Sequence, residues 1–196
     1  YDINISGTFP TIYFNNGGDK DKLTDIKQWG NIAWTSFDFS FAGCDSLTDV
    51  TATDSPDFSG VTSLTRMFGL SDNLSSINVS NWDVSTITSF QQIFRNCSQL
   101  TSLDVSNWDT GLVTNCFLAF SGCPNLSILD VTNWNTSSMA NIQSMFDNAD
   151  SFDYSLANWD ISNVSVFTNL MASATGLSTP NYDATLISWA AQTPSM

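Results

Sequence analysis

LTSLDVSNWDTGLVTNCFLAFSGCPN, residues 100–125, is the middle one of three consecutive 26-residue segments that share one pattern. Residues 74–99 read LSSINVSNWDVSTITSFQQIFRNCSQ, and residues 126–151 read LSILDVTNWNTSSMANIQSMFDNADS. A repeat of this length predicts an array in which each copy packs only against its neighbours. Less regular copies occupy residues 152–176, 47–73 and 23–46.

The spacing of apolar residues changes within one copy, and this change predicts two kinds of element. Leu100, Leu103 and Val105 follow the L-x-x-L-x-L spacing of a short strand whose alternate side chains point inward. Further along, apolar residues recur at i, i+3 and i+7, which is the spacing of one helical face. Each copy is therefore predicted to contain a strand, a turn, a short helix and a second turn. The helical faces are Val113, Cys116 and Phe120; Ile87, Phe90 and Phe94; and Met139, Ile142 and Phe146.

These elements predict an α/β leucine-rich-repeat solenoid of about six strand-turn-helix rungs. One copy cannot bury its own strand and helix face, so stacking is needed to form a continuous core. We expect a single domain over residues 1–196, with an N-terminal β cap at 1–22, repeats at 23–176 and a C-terminal helical cap at 177–196. In the C-terminal cap, an amphipathic helix is expected to turn inward the side chains of Leu186, Ile187 and Trp189.

Charge and composition exclude several classes of function. Lys and Arg total 5 against 19 acidic residues, all of them Asp, so the formal net charge is -14 and a nucleic acid would be repelled. The chain has no His, which excludes serine-histidine triads and histidine zinc sites. No apolar stretch is long enough to predict membrane insertion. Because the chain opens with Tyr1 and no leader, we interpret it as a segment of a larger polypeptide or assembly.

Three stretches are specific enough to indicate a family. They are the repeated S-N-W-D-x-S-x-V/I-T-x-x-x-x-x-F-x-x-C run, the opening Q-W-G-x-I-x-W-T-S-F at 28–37 and the closing N-Y-D-A-T-L-I-S-W-A-A-Q at 181–192. Together they resemble the BspA-like leucine-rich-repeat surface proteins along essentially the whole chain. The pattern departs from that family at Asn135, at Ala149 and in the 47–73 copy. The resemblance implies a cell-surface or secreted adhesion protein, or a relative of the similar arrays in protists and phage tails, and implies binding rather than catalysis.

A column of tryptophans recurs once in each of the four copies between residues 74 and 176. Such rings could stack on sugars or bases, but they occupy the position that leucine-rich repeats normally bury. We therefore predict a structural role for the column and for the asparagines that precede it. The tryptophans are Trp82, Trp108, Trp134 and Trp159, and the asparagines are Asn81, Asn107, Asn133 and Asn158.

Two sets of carboxylates could carry chemistry. Asp83, Asp109 and Asp160 form a column that could bind calcium, but Asn135 interrupts it and no calcium loop is present, so helix capping is favoured. Asp104 and Asp130 could form a glycosidase pair, but neighbouring strands lie only about 4.8 Å apart and offer no cleft. We therefore predict no enzyme, no catalytic residue, no metal and no cofactor.

The four cysteines lack the paired spacing of a metal or redox site. Cys44, Cys97 and Cys123 share one column, and Cys116 stands in a column that is otherwise apolar. Buried free thiols are the favoured interpretation, although the spacing also permits a disulfide between Cys97 and Cys123.

The predicted function is that of an extracellular or cell-surface binding or adhesion module whose partner is a protein or a glycan. Contact is expected through the exposed strand face, where Ile128 interrupts a column of serines. One alternative is a host-recognition module of a phage tail or virion protein, and another is a passive spacer in a larger surface protein. The predicted binding residues are Ser76, Asn78, Ser80, Ser102, Asp104, Ser106, Ile128, Asp130 and Thr132.

Overall fold

The computed structural model describes residues 4–7 and 9–192, and regular secondary structure in this part is sparse. A short 3-10 helix spans Lys20–Lys22, strand β1 spans Asp49–Val50, strand β2 spans Ser76–Ile77 and helix α1 spans Thr179–Ala190. The two strands pair in parallel, with Asp49 opposite Ser76. Turns, bends and isolated parallel bridges make up most of the remaining described chain.

The predicted α/β leucine-rich-repeat solenoid of about six strand-turn-helix rungs with two caps is therefore wrong. The described residues contain one two-stranded sheet and one α-helix, instead of a strand and a helix in every copy. The predicted β cap has no strand in its described residues, 4–7 and 9–22. Residues 1–3, 8 and 193–196, which belong to the predicted caps, lie outside the described part.

The segments that were predicted to be helical consist of consecutive tight turns. Gln92 has a φ of 56°, Leu118 one of 55° and Ser144 one of 52°, all in the left-handed region. A right-handed helix cannot pass through a left-handed residue. A second left-handed column follows four residues later, and it includes Asn96, Gly122, Asn148 and Ser173.

Hydrogen bonds between neighbouring copies replace the expected helical ones. The amide of Phe90 donates to the carbonyl of Asn115 over 2.9 Å, and the amide of Cys116 donates to the carbonyl of Asn141 over 2.8 Å. Parallel bridges follow the same direction across the array, and we call them the long ladder. It joins Ser63, Ser89, Asn115, Asn141 and Val166 in succession.

Apolar residues from both spacings meet in one core. Leu103 and Val105 of the strand motif are buried, as the alternation predicts. Phenylalanines of the turn segments stack along the array, with ring centroids 6.2 Å apart for Phe94 and Phe120 and 6.0 Å apart for Phe120 and Phe146. Aromatic stacking therefore continues from copy to copy, which holds the turns in register.

Helix α1 forms within the predicted C-terminal cap, but its packing differs from the prediction. Leu186 is 46% exposed and Ile187 is 74% exposed, so neither turns inward. Trp189 packs against the core, and its Nε1 donates to the carbonyl of Leu156 over 3.0 Å. The buried side chain is Thr185, whose Oγ1 accepts a 2.8 Å hydrogen bond from the amide of Leu156. Polar contacts thus attach this helix to the array.

Neither helix in the described part of the chain is long and apolar enough to cross a membrane.

Candidate binding face

The nine residues that were predicted to bind a partner recur at matching places in three neighbouring copies. Ser80 and Thr132 are half-buried, and the other seven are exposed. Ser102 and Ile128 form a parallel bridge, and the amide of Leu103 donates to the carbonyl of Ile128 over 2.8 Å. We call this set the polar face. It consists of Ser76, Asn78, Ser80, Ser102, Asp104, Ser106, Ile128, Asp130 and Thr132.

The hydroxyls of Ser80, Ser106 and Thr132 each donate to the side chain two residues earlier. Ser106 Oγ donates to Asp104 Oδ1 over 2.6 Å, and this bond lowers the pKa of the Asp104 carboxyl. Thr132 Oγ1 donates to Asp130 Oδ1 over the same distance. Because these hydroxyl hydrogens are already used, the hydroxyl and carboxylate pairs of the face offer acceptor oxygens. Ser80 and Asn78 form the corresponding pair at 2.8 Å.

Two carboxylates that the sequence reasoning missed extend this side of the array. Asp25 bridges to Asp49, and Asp49 pairs with Ser76. Ser76 Oγ donates to Asp49 Oδ1 over 2.7 Å, which lowers the pKa of Asp49, and Thr51 Oγ1 donates to Asp25 Oδ2 over 2.7 Å. These early copies diverge from the regular pattern. The available signal was the position of Asp49, which is 27 residues before Ser76 and in its column.

One apolar side chain interrupts the polar face. Ile128 is 57% exposed and stands beside Ser102 in the bridge between two copies. An isolated exposed isoleucine is common on proteins, so its meaning depends on its neighbours. Here the neighbours are exposed Asp104 and Asp130, and the combination gives an apolar contact flanked by negative charge.

The tryptophan column is buried and does not offer stacking platforms for a ligand. Its members are 1 to 5% exposed, and the rings of Trp82, Trp108 and Trp134 stack at about 6 Å between neighbouring centroids. The Nε1 of Trp108 donates to the carbonyl of Val79 over 3.0 Å, and the Nε1 of Trp134 donates to that of Val105 over 3.2 Å. The predicted structural role of the column is confirmed.

The column of Asp83, Asp109 and Asp160 closes turns instead of capping helices, so the predicted capping role is wrong. Asp83 Oδ1 accepts hydrogen bonds from the amide and hydroxyl of Ser85, at 3.1 and 2.6 Å. Asn135 Oδ1 accepts the same two bonds from Ser137, at 3.2 and 2.7 Å. An amide oxygen serves as well as a carboxylate here, which explains why Asn135 interrupts the column. Among the described residues, no group of three or more His, Cys, Asp or Glu could hold a metal.

All four cysteines are buried and free. Cys97 Sγ donates to the carbonyl of Phe68 at 3.2 Å, and Cys123 Sγ donates to the carbonyl of Phe94 at 3.0 Å. Burial raises the pKa of Cys44 and of Cys123 to about 12, and it raises the pKa of Cys97 and Cys116 as well. These thiols are therefore protonated at neutral pH.

We expect none of the thiols to react with a disulfide reagent at pH 8 while the protein is native, because the reactive species is the thiolate. All four should react once the protein is unfolded in denaturant without reductant. A chromogenic assay of released thiol measures both numbers. A rapid native reaction would show that a cysteine is accessible, whereas only two reactive thiols after unfolding would indicate a disulfide.

The geometry places the chain among repeat proteins built from stacked, turn-rich copies with a buried aromatic core. A family model described as "Mycoplasma protein of unknown function, DUF285" matches residues 35–127 and 114–192. Because the two matches together cover well over half of the chain, the protein belongs to this family. No curated protein and no solved structure matches the chain.

Proposed function

We propose that the chain is an extracellular binding or adhesion module that recognises a protein or a glycan through the polar face. The observation that carries this proposal is the recurrence of exposed carboxylates around exposed Ile128 in neighbouring copies. The resemblance to BspA-like surface proteins supports the extracellular location. The family match is compatible with this function and does not specify it.

The chemistry of the polar face favours a partner that donates hydrogen bonds or carries positive charge. Asp104 and Asp130 each keep an oxygen that receives no bond from the neighbouring hydroxyl, and Asp25 and Asp49 add charge on the same side. A basic protein patch or a hydroxyl-rich glycan satisfies such acceptors. A polyanion would meet repulsion from the net charge of -14.

The test begins with a glycan and protein array screen that identifies a partner, followed by charge reversal of Asp104→Lys plus Asp130→Lys. We expect affinity to fall by at least about tenfold, since two charge-assisted contacts are lost. Stability should change by less than about 0.5 kcal/mol per exposed substitution. Binding titrations at two salt concentrations measure the effect, and the salt dependence should weaken in the double variant.

A matched control exists in Asp57→Lys plus Asp83→Lys. Both residues are exposed, and each accepts a hydrogen bond from a serine two residues later, as Asp104 does. The control therefore changes the net charge equally and breaks the same kind of turn outside the polar face. If both double variants lose binding equally, the loss is caused by the change in net charge and not by a specific contact at the polar face. Unchanged binding after Asp104→Lys plus Asp130→Lys would show that the contact lies outside the polar face, and the absence of any partner would favour a passive spacer over a binder.

A further inference from the structure

Two arginines of neighbouring copies lie side by side beyond the long ladder. Arg95 stands in the column that holds Gly69 one copy earlier, and the amide of Leu70 donates to the carbonyl of Arg95 over 2.6 Å. Gly69 has no side chain, and the stem of Arg66 occupies the free space, because a Cβ at Gly69 would lie 2.6 Å from Arg66 Cγ. This packing directs the Arg66 stem toward the column of Arg95, and the like charge of Arg95 is close enough to lower the pKa of Arg66.

Neither guanidinium has a carboxylate partner among the described residues. The ion pairs found there involve Lys20 and Lys22. The Nε atoms of Arg66 and Arg95 are buried and have no hydrogen-bond partner, and Arg95 Nη1 makes a single long bond of 3.4 Å to Gln92 Oε1. Buried donors are normally satisfied, so these two lack a group that the described chain does not supply.

The electrostatics of the pair are unfavourable without a bound anion. Burial lowers the pKa of Arg66, and the like charge of Arg95 lowers it further. The chain contains 19 Asp, yet none of those in the described part pairs with these two cations. A group with two negative charges and several acceptor oxygens would remove the repulsion and accept hydrogen bonds from the terminal N–H groups of these two half-buried side chains.

We propose that Arg66 and Arg95 bind the phosphate group of a phosphate monoester. A phosphate monoester carries close to two negative charges at neutral pH, which matches two guanidinium groups. A polyphosphate or nucleic acid fits less well, because the carboxylates over the rest of the surface repel an extended anion. The site uses no residue of the polar face, so this proposal does not depend on the proposed function.

The test compares thermal unfolding of the protein in inorganic phosphate, in O-phosphoserine and in chloride at equal ionic strength. We expect both phosphates to raise the melting temperature of the wild type above its value in chloride, because ligands that bind the folded state stabilise it. Arg66→Gln and Arg95→Gln should each weaken the binding of O-phosphoserine at least about tenfold in titration calorimetry. Lys22→Gln is the control with the same charge change, at a lysine that pairs with Asp19, and it should bind normally.

Folding of the variants can be checked separately, because each removes a guanidinium with an unsatisfied Nε beside a like charge. In chloride, both arginine variants should be at least as stable as the wild type. The proposal is overturned if phosphate stabilises the wild type no more than chloride, or if Arg66→Gln retains full binding. Binding of inorganic phosphate without O-phosphoserine would show an adventitious ion only.

Discussion

Replacing Trp108 by alanine is expected to lower the free energy of unfolding by about 3 to 5 kcal/mol. Trp108 is 5% exposed, and its ring lies between Trp82 at 6.2 Å and Trp134 at 6.0 Å between centroids. The substitution therefore opens a cavity against both neighbouring copies. The loss also removes the hydrogen bond from Nε1 to the carbonyl of Val79, which leaves that carbonyl without this donor.

Urea unfolding followed by the fluorescence of the remaining tryptophans measures this effect. Trp108→Phe is the matched control, because it keeps an aromatic ring in the stack and loses only the indole N–H and some volume. We expect the phenylalanine variant to lose clearly less stability than the alanine variant. If Trp108→Ala melts at the wild-type temperature but no longer binds a partner, Trp108 belongs to a binding surface and its buried assignment is wrong.

The second large effect is expected from Ser144→Pro, at a cost of about 3 kcal/mol or more. Ser144 has a φ of 52°, which a proline ring cannot adopt. The amide of Ser144 also donates to the carbonyl of Thr168 over 3.1 Å, and proline has no amide hydrogen. The change thus distorts a turn and breaks a contact between copies at one position.

Ser144→Gly is the control for this prediction, since glycine adopts a positive φ without steric cost. It should stay within about 1 kcal/mol of the wild type, and relief of backbone strain should offset part of the lost packing. Calorimetry of the three proteins gives the comparison. In a helix interior, glycine would instead destabilise clearly and alanine would be preferred. A variant Ser144→Ala that is more stable than Ser144→Gly would therefore contradict the turn described for this segment.

The repeat and much of the core followed from the sequence. The 26-residue period and the alternation of Leu100, Leu103 and Val105 identify side chains that are buried in the structure. The recurrence of Trp108 at a fixed place identified it as a core residue for the same reason. These inferences depend on burial, which a periodic apolar pattern reports directly.

The helices could not be distinguished from turns by spacing alone. Tight turns also bring residues i and i+3 together, so Phe90 and Ile93 face the core without a helix. One signal was present: Asn96 and Gly122 are residue types that favour left-handed conformations, but the same residue types also end helices, so they do not separate the two structures. Leu118 gave no such signal, because leucine rarely adopts a positive φ.

The candidate sites were predicted unevenly. Exposure of Asp104 and Ile128 follows from the strand alternation, but the bond from Ser106 to Asp104 depends on turn geometry that the pattern does not contain. The arginine pair could not be predicted from the sequence, for a different reason. The 26-residue repeat places Arg95 beside Gly69. The two cations come together only because the Arg66 side chain packs over Gly69, which the repeat does not predict.

The hydrogen bonds between copies have one further consequence, which concerns how the chain reaches its native state. In the described part, the greatest sequence separation between two hydrogen-bonded residues is 33 positions. Most hydrogen bonds between copies join residues that are 24 to 29 positions apart. Because the entropy lost in closing a loop depends on its length, each added copy costs about the same as the one before. Folding can therefore advance from any formed pair of copies to the next. The sequence separation of the contacts that must form at each step stays the same as copies are added.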